Sequence, residues 1–334
     1  MSRLKATLKR GALIAAANWQ VTLIQSVADS VFKLLIAVPA VGGVFFVALL
    51  IGAEPAGLLT LEWREMVTTV VAALLSQPLV LAAFLLSLAV VVVGGSLFMF
   101  LTKAGTIATL VAGDRRAGAI EEPPLHVDAV ARGCGFSADG FIASCERVFP
   151  RYARLGFILI GVYLGSGAAF LAAVRTLRVM GEGWGGAALL TTGFVAWITA
   201  VNLLYLLLQI AIVADDCTVA SAMRRIAAFL RADLRGIASV FGVTLALVVL
   251  ATGVSLLAMG ALGLIAFVPF FGLAVLPLQL VAWFFRSVVF QYIGLSSVGA
   301  YLKLYRTASS GTAQPLIAHS TTHNPRLASV MTRE

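Results

Sequence analysis

The sequence predicts an all-α polytopic membrane helix bundle with six transmembrane helices and additional amphipathic interfacial helices. Its composition and the lengths of its apolar runs carry this prediction. Hydrophobic residues make up 60% of the 334 residues and charged residues 12%, whereas soluble domains have about 45–50% apolar and about 25% charged residues. Several apolar runs reach the roughly 20 residues that a helix needs to cross a bilayer. A water-soluble fold would lack the polar side chains to cover its surface.

Six apolar segments are predicted to span the membrane within a single domain over residues 1–305. The predicted spans are 34–51, 78–101, 155–174, 187–213, 236–259 and 264–285. Gly260 and Gly263 predict a very short turn before the last span. The polar stretch 103–154 is interpreted as a cytoplasmic loop with short surface helices, one of them capped by Ser137. Residues 306–334 are rich in Ser and Thr and predict a disordered tail.

Two amphipathic segments outside these spans are predicted to lie at the membrane interface. Residues 61–75 form one, because the residue before Pro78 is pushed away from helical dihedrals and ends the helix there. A single kinked helix that runs on into the second span is the alternative. Residues 11–33 form the other, with a polar stripe opposite an apolar one. The polar stripe contains Asn18, Thr22, Gln25, Asp29 and Lys33.

The distribution of charge predicts that both termini are cytoplasmic. The chain has 24 Lys and Arg residues and 15 Asp and Glu residues, which give a net charge of +9. If the amino terminus is inside, six spans place every basic residue except Arg64, Arg175 and Arg178 in cytoplasmic segments. This asymmetry follows the positive-inside rule. It accounts for the basic composition without nucleic acid as a partner.

The segment between the fourth and fifth spans has the pattern of a helix that lies flat on a membrane. At about 100° per residue, one side of the helix carries apolar residues, namely Val219, Ala222, Met223, Ile226, Phe229 and Leu230. The opposite side carries Arg224, Arg231 and Arg235, with Arg225 on the flank. Each arginine near an anionic surface contributes about 1 kcal/mol. These four residues are therefore candidate contacts for lipid headgroups, and ordinary anchoring at the cytoplasmic surface is the alternative.

Two adjacent acids, Asp215 and Asp216, precede this helix and have two interpretations. They could act as an acid/base pair in a lipid-modifying enzyme. Adjacent side chains on a helix do not face each other, however, and a carboxylate before a helix is stabilised by the helix dipole. The pattern favours a structural role, with Thr218 as the N-cap of the helix.

Three amides, Asn202, Gln209 and Gln279, lie within predicted spans. Polar groups in hydrocarbon need partners, so these side chains could line a substrate path between helices broken at Pro269 and Pro277. They could instead form hydrogen bonds between helices, which contribute about 0.6 kcal/mol on average. Uncharged amides suit the second role better.

No pattern in the chain predicts a metal or a cofactor. His126, Cys134 and Cys145 lack paired-ligand spacing and a fourth ligand for zinc. The sequence has no P-loop and no zinc-protease motif. The chain has three cysteines, Cys134, Cys145 and Cys217, and an odd number without tight spacing argues against a disulfide framework.

Three short segments carry a resemblance to a known family. They are 103–107 (KAGTI), 213–225 (VADDCTVASAMRR) and 300–302 (AYL). Together they resemble bacterial six-span proteins similar to the membrane domain of some glycerophosphodiester phosphodiesterases. The resemblance implies a six-helix fold in a bacterial cytoplasmic membrane. It implies no catalytic residues, since no phosphodiesterase domain is recognisable in this chain.

These features together predict a non-enzymatic integral membrane protein of the bacterial cell membrane. It would contact anionic membrane lipids or assist a membrane-protein partner. A transporter or channel for a small molecule or lipid is the first alternative, and a lipid-modifying enzyme is the second.

Overall fold

The structure is a computed structural model that describes residues 2–50, 62–122, 127–179, 184–266 and 272–318. These residues form helices with short connections, and none of them lies in a strand. The helices are α1 Ser2–Ala17, α2 Trp19–Leu50, α3 Trp63–Ser76, α4 Pro78–Arg116, α5 Val127–Arg132, α6 Ala138–Val179, α7 Trp184–Ala214, α8 Val219–Ala266 and α9 Gly272–Ala318.

Six of the described helices are long and apolar enough to cross a membrane, which confirms the predicted all-α polytopic bundle. The candidate spans are Trp19–Gly43, Pro78–Arg116, Ala138–Leu177, Gly185–Ala214, Val219–Ile265 and Pro277–Ser309. Large apolar side chains are exposed along them, for example Leu79, Leu171 and Leu257. Such exposure suits a surface that hydrocarbon covers rather than water.

The helices extend further than the sequence predicts. α4 passes Leu101 and ends at Arg116, and α6 begins at Ala138, so most of the predicted loop 103–154 is helical. The predicted turn at Gly260 and Gly263 is wrong, because α8 continues to Ala266. α9 continues to Ala318, so residues 306–318 are helical rather than disordered. Each residue added to an existing helix gains a hydrogen bond, whereas a turn would leave backbone groups without partners.

The break predicted before Pro78 is confirmed. α3 ends at Ser76, Gln77 is not helical, and α4 begins at Pro78. The alternative of one kinked helix is therefore wrong. Proline suits the first position of a helix because its missing N–H would have no partner there. The location of α3 at an interface stays a prediction.

The first amphipathic segment differs from its prediction in two ways. The helix breaks at Asn18, and α2 then runs without interruption through Lys33 into the first span. Asn18 and Gln25 on the polar stripe are buried, whereas Trp19 and Val27 on the apolar side are about half exposed. The first part of the polar stripe, from Asn18 to Gln25, therefore faces inward, whereas Lys33 is exposed. That orientation suits a helix whose outer side meets hydrocarbon, where an unpaired amide would be costly.

The residue contacts divide the predicted single domain into two compact units. One unit comprises Met1–Thr22 and Ala104–Glu334, and the other comprises Leu23–Lys103. Within the first unit α1 crosses α9 with the backbones in contact. A Cβ added to Gly11 would lie 2.2 Å from the Ser296 carbonyl oxygen, and one added to Gly299 would lie 2.8 Å from Gly11 Cα. Only glycine permits this approach, and it brings α1 against the charged end of α9.

Candidate functional site

The most extensive polar arrangement in the first unit is a group of five charged side chains, which we name the Asp114 cluster. Its members come from α1, the end of α4, the turn after α4, and α9. They are Arg10, Asp114, Glu121, Lys303 and Arg306.

Arg10 lies at the centre of the cluster. Its Nε donates to Asp114 Oδ1 at 2.6 Å, and its Nη1 donates to Glu121 Oε2 at 2.6 Å. It also donates to the backbone carbonyls of Gly118 and Asp114. Its side chain is 8% exposed and that of Asp114 is 2% exposed. A buried guanidinium needs this number of acceptors, because each donor without a partner would keep its desolvation cost.

Two basic residues of α9, Lys303 and Arg306, bind the same two acids. Arg306 pairs with Asp114 Oδ2, and the Lys303 ammonium lies 2.8 Å from Glu121 Oε1. Gly118, at φ +62°, turns the chain after α4 so that Glu121 can reach these partners. The cluster thus ties three helices together at one end.

The charges around Glu121 determine its titration. Burial alone would raise the pKa of its carboxyl group, but the hydrogen bonds from Lys303 and Arg10 outweigh burial and hold the pKa below 4.5. The pKa of Arg10 is raised, because Asp114 and Glu121 outweigh the cost of its burial. Arg10 therefore stays charged, and Glu121 is held in its charged form by its two basic partners.

A pH dependence of stability follows from the depressed pKa of Glu121. Its contribution is complete above the unfolded-state value of about 4.5 and is lost as the pH falls through the lower folded-state pKa. We expect the melting temperature in detergent to fall below this pH, and Glu121→Gln to reduce that fall. The exposed acid Glu65 gives the control Glu65→Gln. An equal reduction in both variants would contradict this assignment.

The two adjacent acids before α8 bind different partners. Asp215 accepts hydrogen bonds from Arg225 and from the Tyr305 hydroxyl, whereas Asp216 pairs with Arg151 of α6. The two carboxylates therefore do not converge on one point. The hydrogen bond from Arg151, which outweighs a small desolvation effect, lowers the pKa of Asp216.

Asp216 also ends α7. Its φ of +47° is left-handed, and the Cys217 N–H donates to the Ile212 carbonyl at 3.2 Å, as at a helix end of the Schellman type. Thr218 Oγ1 then accepts from the Ser221 N–H at 3.5 Å. The predicted N-cap at Thr218 is confirmed, as is the one at Ser137, whose Oγ accepts from Gly140 N–H. These contacts support the structural interpretation of the two acids.

The arginine-bearing part of α8 packs with its apolar side inward. Ala222, Ile226 and Phe229 are buried, and the Phe229 ring meets the Tyr305 ring edge-on at 5.5 Å. Val219 and Leu230 are partly buried, whereas Met223, predicted on the same side, is 49% exposed. All four predicted headgroup residues are exposed, namely Arg224, Arg225, Arg231 and Arg235.

These four arginines are not equivalent. Arg225 forms a salt bridge with Asp215. Arg224, Arg231 and Arg235 form no salt bridge among the described residues. The helix breaks between Arg231 and Arg235, because Asp233 has φ −142° and ψ 50°. Asp233 accepts the Gly236 N–H and so caps the span that follows. Arg224 and Arg231 therefore lie in the part of α8 before this break, and Arg235 lies in the part after it.

The three predicted intramembrane amides do not hydrogen-bond to one another in the described part of the chain. Asn202 is exposed and accepts a hydrogen bond from Tyr163 of α6. Gln209 is 1% exposed, and its backbone carbonyl accepts from Tyr152 at 3.0 Å. Gln279 is half-buried on α9. The hydrogen bond between Tyr163 and Asn202 joins two helices, which supports the interpretation of these amides as interhelical hydrogen-bonding groups.

The cysteines are separate. Cys145 is buried, and its sulfur would lie 2.5 Å from a Cβ on Gly105, while Cys134 is exposed and Cys217 is partly exposed. Within the described ranges no three His, Cys, Asp or Glu side chains are grouped to hold a metal. His126, which the sequence pattern did not favour as a zinc ligand, lies outside those ranges.

No family model, curated protein or solved structure matches the chain. The resemblance to the membrane domain of glycerophosphodiester phosphodiesterases therefore stays a prediction. What can be argued about function depends on the chain's own residues.

The Asp114 cluster was missed by the sequence reasoning, which counted its basic members only as cytoplasmic charges. One signal could have found it. Asp114 follows an apolar run and lies beside Arg115 and Arg116, and Arg10, next to Lys9, is the last charge before an apolar run. Opposite charges at the ends of apolar segments suggest partners, but the sequence does not say which charges meet.

Proposed function

We propose that this protein is a non-enzymatic integral protein of the bacterial cytoplasmic membrane that holds anionic phospholipid at the cytoplasmic surface. Both termini would lie on that side. The observation that carries the proposal is the exposed set Arg224, Arg231 and Arg235, which have no carboxylate partner among the described residues. Their positive charge is available to a phosphate, while the opposite side of the helix is packed.

The contrast with Arg225 supports this proposal. Arg225 is neutralised by Asp215, and Tyr305 binds the same acid. Arg225 thus holds this part of α8 in place, and Arg224, Arg231 and Arg235 are exposed. A fixed helix loses less conformational freedom when it binds a lipid. The positive-inside distribution supports the cytoplasmic side, and the family resemblance supports a bacterial membrane.

A lipid-modifying activity has less support. Both acids that could serve it are engaged in caps and ion pairs, and they face different helices. A membrane-protein partner is compatible with the same exposed arginines.

The triple variant Arg224→Gln/Arg231→Gln/Arg235→Gln tests the proposal. At about 1 kcal/mol for each arginine near an anionic surface, we expect its affinity for phosphatidylglycerol to fall more than tenfold. Native mass spectrometry of the delipidated protein, titrated with phosphatidylglycerol or phosphatidylcholine, measures this loss.

The matched control is Arg64→Gln/Arg175→Gln, which removes two exposed arginines predicted to lie on the opposite side. It is expected to keep the affinity of the unaltered protein. An equal loss in the control, or no loss in the triple variant, would overturn the proposal.

A further inference from the structure

A second feature of the first unit points to a specific lipid site away from the arginine helix. A groove of about 750 Å³ runs between α1, α8 and α9. This volume is within the range of about 300–1,000 Å³ for small-molecule sites. Its walls are largely apolar, and they include Leu4, Leu8, Val243, Leu247 and Ile293.

One border of the groove is basic. Lys5 and Lys9, one helical turn apart on α1, both line it. Lys5 is exposed and forms no salt bridge within the described part of the chain. Lys9 donates to the backbone carbonyl of Glu121 at 3.0 Å. A carbonyl is neutral, and Lys9 forms no salt bridge with the described residues, so its charge has no counterion among them. The two ammonium groups together favour an anionic group.

Hydroxyl groups also line the apolar walls. Thr244 and Ser297 bond to each other at 2.9 Å, and the Tyr292 hydroxyl donates to the Ala12 carbonyl. Ser296 differs from them, because its Oγ is buried without a hydrogen-bond partner among the described residues. An ester oxygen is the kind of acceptor that would satisfy this hydroxyl in an apolar groove.

The predicted span 236–259 places the far wall of the groove at membrane depth. The span part of α8 begins at its cap, Asp233. Val243 and Leu247 follow ten and fourteen residues later, which corresponds to about 15–21 Å along the helix. About half of a hydrocarbon core of roughly 30 Å lies within that distance. The far wall of the groove is thus where an acyl chain would lie.

From these features we infer that the groove between α1, α8 and α9 binds one anionic phospholipid. Lys5 and Lys9 hold its phosphate, the Ser296 hydroxyl meets its ester region, and an acyl chain lies along Leu247. Apolar walls that end in uncompensated lysines complement a molecule with a long apolar chain and a negative head. The inference extends the proposed lipid contact to a separate site, and it does not depend on the α8 arginines.

The test uses the full-length protein in mild detergent and phosphatidylglycerol with a photoreactive diazirine in one acyl chain. Cross-links are mapped by peptide mass spectrometry. We expect them at residues 243–247 and 292–297, and more weakly with a phosphatidylcholine analogue. Lys5→Gln should reduce the phosphatidylglycerol cross-link roughly fivefold. Leu247→Trp should reduce it with both lipids, because the larger side chain fills the groove.

Each variant has a matched control. Lys33→Gln removes a lysine that is already paired with Asp29, and Leu250→Trp enlarges an exposed α8 side chain that does not line the groove. Leu247 is 45% exposed, so tryptophan can be accommodated without disturbing the packed interior. Equal cross-linking in Leu247→Trp and Leu250→Trp, or equal labelling by the two lipids, would overturn the inference.

The α8 triple variant separates this inference from the proposed function. Groove cross-links that persist there while total phosphatidylglycerol binding falls support both sites. Loss of the groove cross-links in that variant contradicts a separate groove site. Total binding that does not fall contradicts only the arginine proposal.

Discussion

Asp114→Ala is expected to lower the free energy of unfolding by about 3–5 kcal/mol, the usual cost of removing one partner from a buried ion pair. Arg10 would remain 8% exposed with its Nε lacking a carboxylate, and Arg306 would lose the same partner. Arg10 would keep only Glu121 as a carboxylate partner among the described residues, and this loss of charge compensation in a buried site accounts for most of the cost. Unfolding in mixed detergent micelles with increasing dodecyl sulfate measures the change.

Two comparisons show whether the buried charge is the cause. Arg10→Met/Asp114→Leu removes both charges and should lose less stability than Asp114→Ala alone, because apolar side chains can replace a buried pair. Asp139→Ala removes an exposed acid in the first turn of α6 and should cost at most about 1 kcal/mol. If Asp114→Ala were as stable as the unaltered protein, the role assigned to Asp114 would be contradicted.

Gly11→Ala is expected to destabilise the protein by at least about 1–3 kcal/mol, the usual cost of overpacking. The added Cβ would lie 2.2 Å from the carbonyl oxygen of Ser296 and 2.7 Å from the amide nitrogen of Ala300. Both atoms belong to the backbone of α9, so no side-chain rotation relieves the overlap. α1 must move away from α9, and proteolysis within α1 together with the melting temperature will report that movement.

Gly161→Ala is the matched control for this substitution. A Cβ at Gly161 would meet no atom within 4 Å in the described structure, and alanine favours a helix by roughly 0.5–1 kcal/mol over glycine. We expect its stability to be unchanged or slightly raised. If both glycine variants lost the same stability, the crossing of α1 and α9 would not be the reason.

The glycines show why a short pattern misleads. Gly161-x-x-x-Gly165 has the spacing of a close-packing motif, but a Cβ added to either residue would meet no atom of the described residues within 4 Å. The close crossing instead joins Gly11 to Gly299, which are far apart in sequence and share no local motif. Spacing along one helix describes one of its sides, and it does not identify the helix that packs there.

The candidate site was only partly predictable for a similar reason. The period of α8 predicted the buried Ala222, Ile226 and Phe229, and the capping roles of Thr218 and Ser137 followed from local sequence. Local chemistry is sufficient for such features because their partners lie within one or two turns. The role of Arg225 was different, because its acceptor also binds Tyr305 from α9.

By itself, the sequence determined the six apolar helices, the break before Pro78 and the N-caps at Ser137 and Thr218. These depend on composition and on neighbours a few residues apart. Tertiary structure decided which charges are paired. Arg10 meets Asp114 across 104 residues, and Arg306 meets it across 192 residues. A buried charge is stabilised only by an acid that the fold brings within hydrogen-bond distance, and chain order does not encode that distance.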